Sequence, residues 1–161
     1  MTTESEKCCP EFDPTSWQEK EVTWANKLFI KDNVPQIMHI PLPGSFAKII
    51  GRMWEKIEKA KAKPVEKDFL MLCYDPSPWK SEMYVNVTKE VPDAENIKLS
   101  GTFMTKVFDG PYNHVPKWIK EMDAYVADKG KKVQKYYFYY TTCPKCAKKY
   151  GHNYVVVFAQ V

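Results

Sequence analysis

Phe108-Asp109-Gly110-Pro111-Tyr112 ends a predicted strand and opens a predicted helix, and its last three residues answer Gly44-Ser45-Phe46 at a spacing of 66 residues. The same spacing carries Tyr74 and Pro78 onto Tyr140 and Pro144. Each copy reads as a strand, a glycine-containing turn, an amphipathic helix, and two aromatic-rich strands that end in a polar hairpin. Two divergent copies are too few for a solenoid. The expected fold is therefore α+β: two fused βαββ repeats related by a pseudo-twofold axis, with antiparallel sheets backed by two long helices. The groove where the two sheets meet is the expected place for a ligand.

Outward from the two turns, Ser45 is the expected cap of a helix reaching about Lys61. Phe46, Ile49, Ile50, Met53, Trp54 and Ile57 form its apolar stripe. The second helix starts near Val115, tolerates Pro116 in its first turn, and stops at Gly130. Its stripe is Val115, Trp118, Ile119, Met122, Tyr125 and Val126. Strands are expected over residues 36–40, 69–74, 82–91, 98–108, 136–141 and 153–161, with a bulge allowed at Gly101. Pro76 and Pro78 favour a turn between the second and third of these. Residues 1–33 hold no period and read as an N-terminal arm packed on the body, with a short helix around residues 16–26. Residues 34–161 form the repeat domain, one copy over about 34–91 and the other over about 98–161.

Composition narrows the function classes. The 161 residues are 44% hydrophobic, enough for one compact domain or two small units folded together. A net charge of +4, from 24 basic against 20 acidic side chains mixed along the chain, argues only weakly for nucleic acid. No leader and no apolar stretch of membrane length is read, so a cytoplasmic protein without a membrane partner is expected. Five cysteines fit a reducing compartment better than a disulfide framework. Aromatic residues make up 14% of the chain, ten tyrosines and five tryptophans among them, and many need a partner for a polar edge.

Tyr136-Tyr137-Phe138-Tyr139-Tyr140 places rings on both faces of one strand, because alternate side chains point opposite ways. One face meets the helix layer and the other is available for something else. Tyr74, Tyr84, Phe103, Tyr137, Tyr139 and Tyr154 all fall on strands, as ordinary packing or as the lining of an aromatic cavity for a flat ligand. Glu82, between Trp79 and Tyr84, is either a solvated strand-edge charge or a carboxylate set among aromatic faces. In the second case it suits a cationic ligand or acid–base work. Cys143-Pro144-Lys145-Cys146 has the spacing of a metal knuckle or redox pair, with Cys8, Cys9, His152, His39 and His114 as candidates for further zinc donors, or is a loop of inert cysteines. His39, His114 and His152 are scattered, and neither a hydrolytic triad nor a phosphate-binding glycine loop is present. No cofactor is expected.

On these residues the chain resembles the GyrI-like small-molecule-binding family, whose SHS2-like domain is also the effector half of BmrR-type regulators. Phe108-Asp109-Gly110-Pro111-Tyr112 is similar to that family's strand-to-helix turn, and Trp79 with Glu82-Met83-Tyr84-Val85 to its acidic strand motif. The stretch from Tyr140 through Cys143-Pro144-Lys145-Cys146 to Gly151 resembles a stand-alone bacterial branch labelled hydrolase. The resemblance implies binding of planar, amphipathic or cationic small molecules in the aromatic groove by Tyr74, Trp79, Tyr84, Phe103, Tyr112, Tyr137, Tyr139 and Tyr154. It alternatively implies a hydrolase that opens cyclopropane-bearing genotoxins, with Glu82 handling water and Tyr137 steadying the oxyanion. A third reading is a zinc-stabilised interaction module. Where the regulators carry a second acid near the final strand this chain has Asn153-Tyr154, and it has no helix-turn-helix for direct contact with nucleic acid.

Overall fold

The computed structural model describes residues 12–38, 40–42, 44–65, 68–77, 79–141 and 148–161. Its elements run β1 (Lys20–Ile37), β2 (Ile40–Pro41), α1 (Ser45–Lys59), β3 (Met71–Ser77), β4 (Lys80–Asn86), β5 (Glu95–Asp109), α2 (Val115–Asp128), β6 (Lys135–Tyr140) and β7 (Tyr154–Gln160). The order β1-α1-β3-β4 recurs as β5-α2-β6-β7, and the pairing recurs with it. β1 lies antiparallel to β4 and β4 to β3, while β5 lies antiparallel to β7 and β7 to β6. The fold is α+β with antiparallel pairing, as the spacing of the two turns predicts. Two compact units divide the chain, one of Trp24–Gly101 around α1 and one of Met1–Thr23 with Thr102–Val161 around α2.

The α1 unit is built on the predicted stripe. Ile49, Met53 and Ile57 are buried against Ile30, Val34, Met83 and Val85, with Ile50 and Trp54 packed at the flank. Each such side chain contributes roughly 1.5–3 kcal/mol on burial. Phe46 lies outside the described side chains. Gly44, at φ 74°, turns the chain into α1, and the Ser45 hydroxyl donates back to the Leu42 carbonyl at 2.7 Å. Ser45 is thus the first helical residue and not the cap. β3 continues through Pro76, and its register with β4 shifts between Tyr74 and Ser77, which accommodates a residue without an N–H. β4 ends earlier than expected because the buried Asn86 side chain closes the pair. It accepts from the Leu70 amide and donates to the Asp68 carbonyl, each at 2.7 Å.

The α2 unit repeats the plan, with Trp118, Met122 and Val126 buried on Met104, Phe108, Phe138, Val155, Val157 and Ala159. Phe108 and Trp118 stack with centroids 5.5 Å apart. Gly110 turns β5 toward α2 at φ 155°, and a Cβ there would stand 3.2 Å from His114 Nδ1. Any larger residue would press on that ring.

The helix expected near residues 16–26 is absent. Pro14–Ser16 makes one 3₁₀ turn, capped by Asp13, and β1 begins at Lys20. Residue 33, the expected end of the arm, lies inside β1. Asn26 hides this strand from a periodicity reading: its φ of 55° is left-handed, so side-chain parity reverses across it. Trp24 and Phe29, at positions of opposite parity, consequently meet with centroids 5.7 Å apart.

Candidate functional site

Pleat alternation assigns the strand faces. In the α1 unit, Ile30, Met83, Val85, Met71 and Cys73 face α1, so Phe29 and Lys31 on β1, Leu72 and Tyr74 on β3, and Glu82 and Tyr84 on β4 point the other way. Glu82 holds two of these neighbours at once. Its Oε1 is 2.7 Å from Lys31 Nζ, and its Oε2 accepts the Tyr84 hydroxyl at 2.8 Å. Only 13% of the Glu82 side chain and 18% of Lys31 are exposed. The hydrogen bond to Glu82 raises the Lys31 pKa above its ordinary value against the pull of desolvation. Tyr84 is buried edge-on to Phe29, with centroids 6.5 Å apart. Tyr74 is the residue directly opposite Glu82 across the β3–β4 pair. Trp79 is exposed in the β3–β4 turn, and its carbonyl accepts the Gln36 amide at 3.0 Å.

The structure sets the Tyr84 hydroxyl on Glu82 and adds a cation that local spacing did not reveal. Lys31 comes from β1, and only the β1–β4 register, which sets Lys31 opposite Tyr84 beside Glu82, brings it in. The pair is organised for hydrogen bonding and charge neutralisation.

In the α2 unit the face away from α2 carries Phe103, Thr105 and Asp109 on β5, Tyr137 and Tyr139 on β6, and Tyr154 and Phe158 on β7. Tyr137 and Tyr139 are 2% and 8% exposed. Phe103 meets Tyr137 at 6.1 Å between centroids, and Lys135 Nζ stands 4.9 Å over the Tyr137 ring. The N-terminal segment crosses this face. Phe12 lies edge-on to Tyr139 at 6.1 Å and tilted on Tyr154 at 5.8 Å, while Trp17 packs on Phe158 at 5.1 Å. The Thr105 hydroxyl donates to the Trp17 carbonyl at 2.6 Å, and the Val107 amide donates to Gln18 Oε1 at 2.8 Å. Five of the aromatic positions read from the sequence thus gather into Tyr84 beside Glu82, Phe103 with Tyr137, and Tyr139 with Tyr154 through Phe12. The Tyr112 side chain lies outside the described residues.

Beside Tyr154 sits a pair that the sequence reading passed over. His152 Nδ1 is 2.7 Å from Asp109 Oδ2, and the His152 ring stacks on Tyr154 at 4.9 Å. Burial pushes the Asp109 carboxyl up, but bonds from His152 and the Asn153 amide outweigh it, so its pKa falls below the usual value. The signal available was positional: Asp109 ends β5 and His152 precedes β7, strands that only the tertiary register pairs.

Among the described residues no group of three metal-ligating side chains occurs. Cys8, Cys9, Cys143, Cys146 and His39 lie outside them, and the knuckle expectation with them. Burial pushes the Cys73 thiol to about 12. No helix among the described residues is long and apolar enough to cross a membrane.

The family described as bacterial hydrolase matches residues 1–161. No curated protein sequence matches. Among solved structures, the EcmrR C-terminal domain superposes with a TM-score of 0.66 at 13% identity, over 89% of this chain and 96% of that one. A hydrolase from Listeria innocua superposes with a TM-score of 0.62 at 12% identity, over 89% of this chain and 91% of its own. EcmrR in its DNA complex gives a TM-score of 0.63 at 14% identity, over 88% of this chain and 55% of that longer one. At these identities the likeness is one of fold.

Proposed function

From a chain that belongs to the bacterial hydrolase family along its whole length, we propose a protein that binds planar, amphipathic small molecules on its aromatic strand faces and is of the GyrI-like kind. One observation carries this reading: Tyr139 and Tyr154 already hold an aromatic ring, that of Phe12. A face that takes a phenyl ring edge-on at one side and tilted at the other presents the geometry in which aromatic pairs attract. Tyr74, Trp79, Tyr84, Phe103, Tyr112 and Tyr137 are the further candidates. Glu82 supplies only a weak preference for cations, because Lys31 neutralises it. Such a protein would act as a small-molecule sensor or scavenger in the cytoplasm, protecting against toxic compounds, without contacting nucleic acid itself.

Fluorescence titration with a planar cationic dye tests the reading. Tyr139→Ala with Tyr154→Ala should weaken binding by about tenfold, the equivalent of losing one or two aromatic pairs. Unchanged affinity in a folded double variant would overturn the assignment of this face.

Hydrolysis is the second reading, favoured by the family. Here Glu82, held by Lys31 and Tyr84, orients water toward a strained electrophilic ring. Incubation with a DNA-alkylating cyclopropane compound, followed by mass spectrometry of the ring-opened product, separates the two readings. Product formed by wild type and lost in Glu82→Gln supports the hydrolase; dye binding without product in either protein leaves binding alone.

A further inference from the structure

Asp109 and His152 form a built pair at one end of the aromatic face of the α2 unit. Asp109 Oδ1 accepts the Asn153 amide at 2.8 Å, and the Asn153 side chain donates to the Gly110 carbonyl at 2.6 Å. Both carboxylate oxygens are thereby committed, and the one facing His152 Nδ1 selects the tautomer with its proton on Nδ1. The lone pair then sits on Nε2. About half of the His152 side chain is exposed, at 51%, so water reaches it. Its ring continues a series: Tyr139, Phe12, Tyr154 and His152 follow one another at 6.1, 5.8 and 4.9 Å between centroids.

We propose that His152 is a general base for hydrolysis of aryl esters, and that the substrate's ring takes the place of Phe12 between Tyr139 and Tyr154. Asp109 is the positioning residue. The proposal rests on the ring-binding reading above and gives that face a chemistry. As the oxygen of water bonds to the acyl carbon, its proton passes to His152 Nε2. The bond from that carbon to the phenolic oxygen breaks, and the leaving phenolate takes the proton from His152. Ester and water become carboxylic acid and phenol, with the imidazole restored and no other reactant consumed.

Two readouts on the full chain test this. The first is carbethoxylation by diethyl pyrocarbonate at pH 8, mapped by mass spectrometry with His114 as internal reference. His152 should label several-fold faster than His114, and a bound planar dye should slow His152 alone. Asp109→Asn keeps an oxygen for the Asn153 amide but offers Nδ1 a donor, moving the ring proton to Nε2, so labelling should fall by roughly tenfold or more. Asp109→Glu, which restores a carboxylate, should recover much of the rate. The second readout is hydrolysis of 4-methylumbelliferyl butyrate, which should be lost in His152→Gln and kept in His114→Gln. Equal labelling of His152 and His114, indifferent to Asp109→Asn, would overturn the proposal, as would ester turnover that is absent from wild type or survives in His152→Gln. Dye binding with an unreactive His152 sinks the base and spares the binding reading; a reactive His152 with ester turnover but no dye binding does the reverse.

Discussion

Glu82 shows how a single residue changes meaning once its partners are known. Its carboxylate bridges an ammonium and a phenol, and of these the phenol of Tyr84, two positions away, was legible in the sequence. Lys31 was not, because no local rule links β1 to β4. Lys31→Met should destabilise the protein by about 1 kcal/mol in chemical denaturation, a modest figure because both groups keep some solvent access. The sign of its pH dependence follows from the raised Lys31 pKa. The gap between wild type and variant should hold through neutral pH and close as pH rises above 10.5, the ordinary lysine value, through the folded one. Asp109 behaves oppositely, since its folded pKa is depressed. Its stabilising bonds should be fully present above about pH 4 and fade as pH falls through the folded value, read as a narrowing gap between wild type and Asp109→Ala. The Cys73 thiol, pushed to about 12, should resist iodoacetamide at pH 8 in the folded state and react on unfolding.

At the scale of elements, α1 and α2 were readable because each buries a stripe at helical spacing and each is bounded by turn chemistry. Gly44 and Gly130, both at φ 74°, mark the start of one and the stop of the other. β1 was unreadable for the converse reason. Its one left-handed residue, Asn26, splits eighteen residues of strand into two runs of opposite parity, and neither run alone signals a strand. Asn26→Gly should leave the thermal midpoint within a degree or two, whereas Asn26→Val, forced to the same φ, should cost about 1–2 kcal/mol. Equal effects would mean that the side chain, and not the backbone turn, matters there. The segment holding Phe12 and Trp17 reads in the sequence only as an arm without a period. Its attachment comes from Thr105 and Val107, which bond to Trp17 and Gln18 and place Phe12 on Tyr139 and Tyr154. Phe12→Ala should therefore tighten binding of a planar dye by several-fold, since the ligand no longer competes with an internal ring; weaker binding would show that Phe12 is part of the site instead.

For the whole molecule, each unit has its own helix-backed core, and the residues of β1 and of β5 are divided between the two units. Met53→Ala and Met122→Ala, at buried positions of the two cores, should each cost about 2–5 kcal/mol. Because the strands are shared, both losses should appear in a single cooperative unfolding transition; two separated transitions would mean that the units fold independently. The residues alone carried the repeated strand-helix-strand-strand order, the two apolar stripes and the richness of aromatic side chains, since periodicity and turn chemistry act over neighbours a few positions apart. Lys31 beside Glu82, Phe12 against Tyr139 and Tyr154, and His152 against Asp109 emerged only on folding. Each joins residues distant along the chain, and the register of antiparallel strands, set by burial of a whole face at once, decides which of them meet.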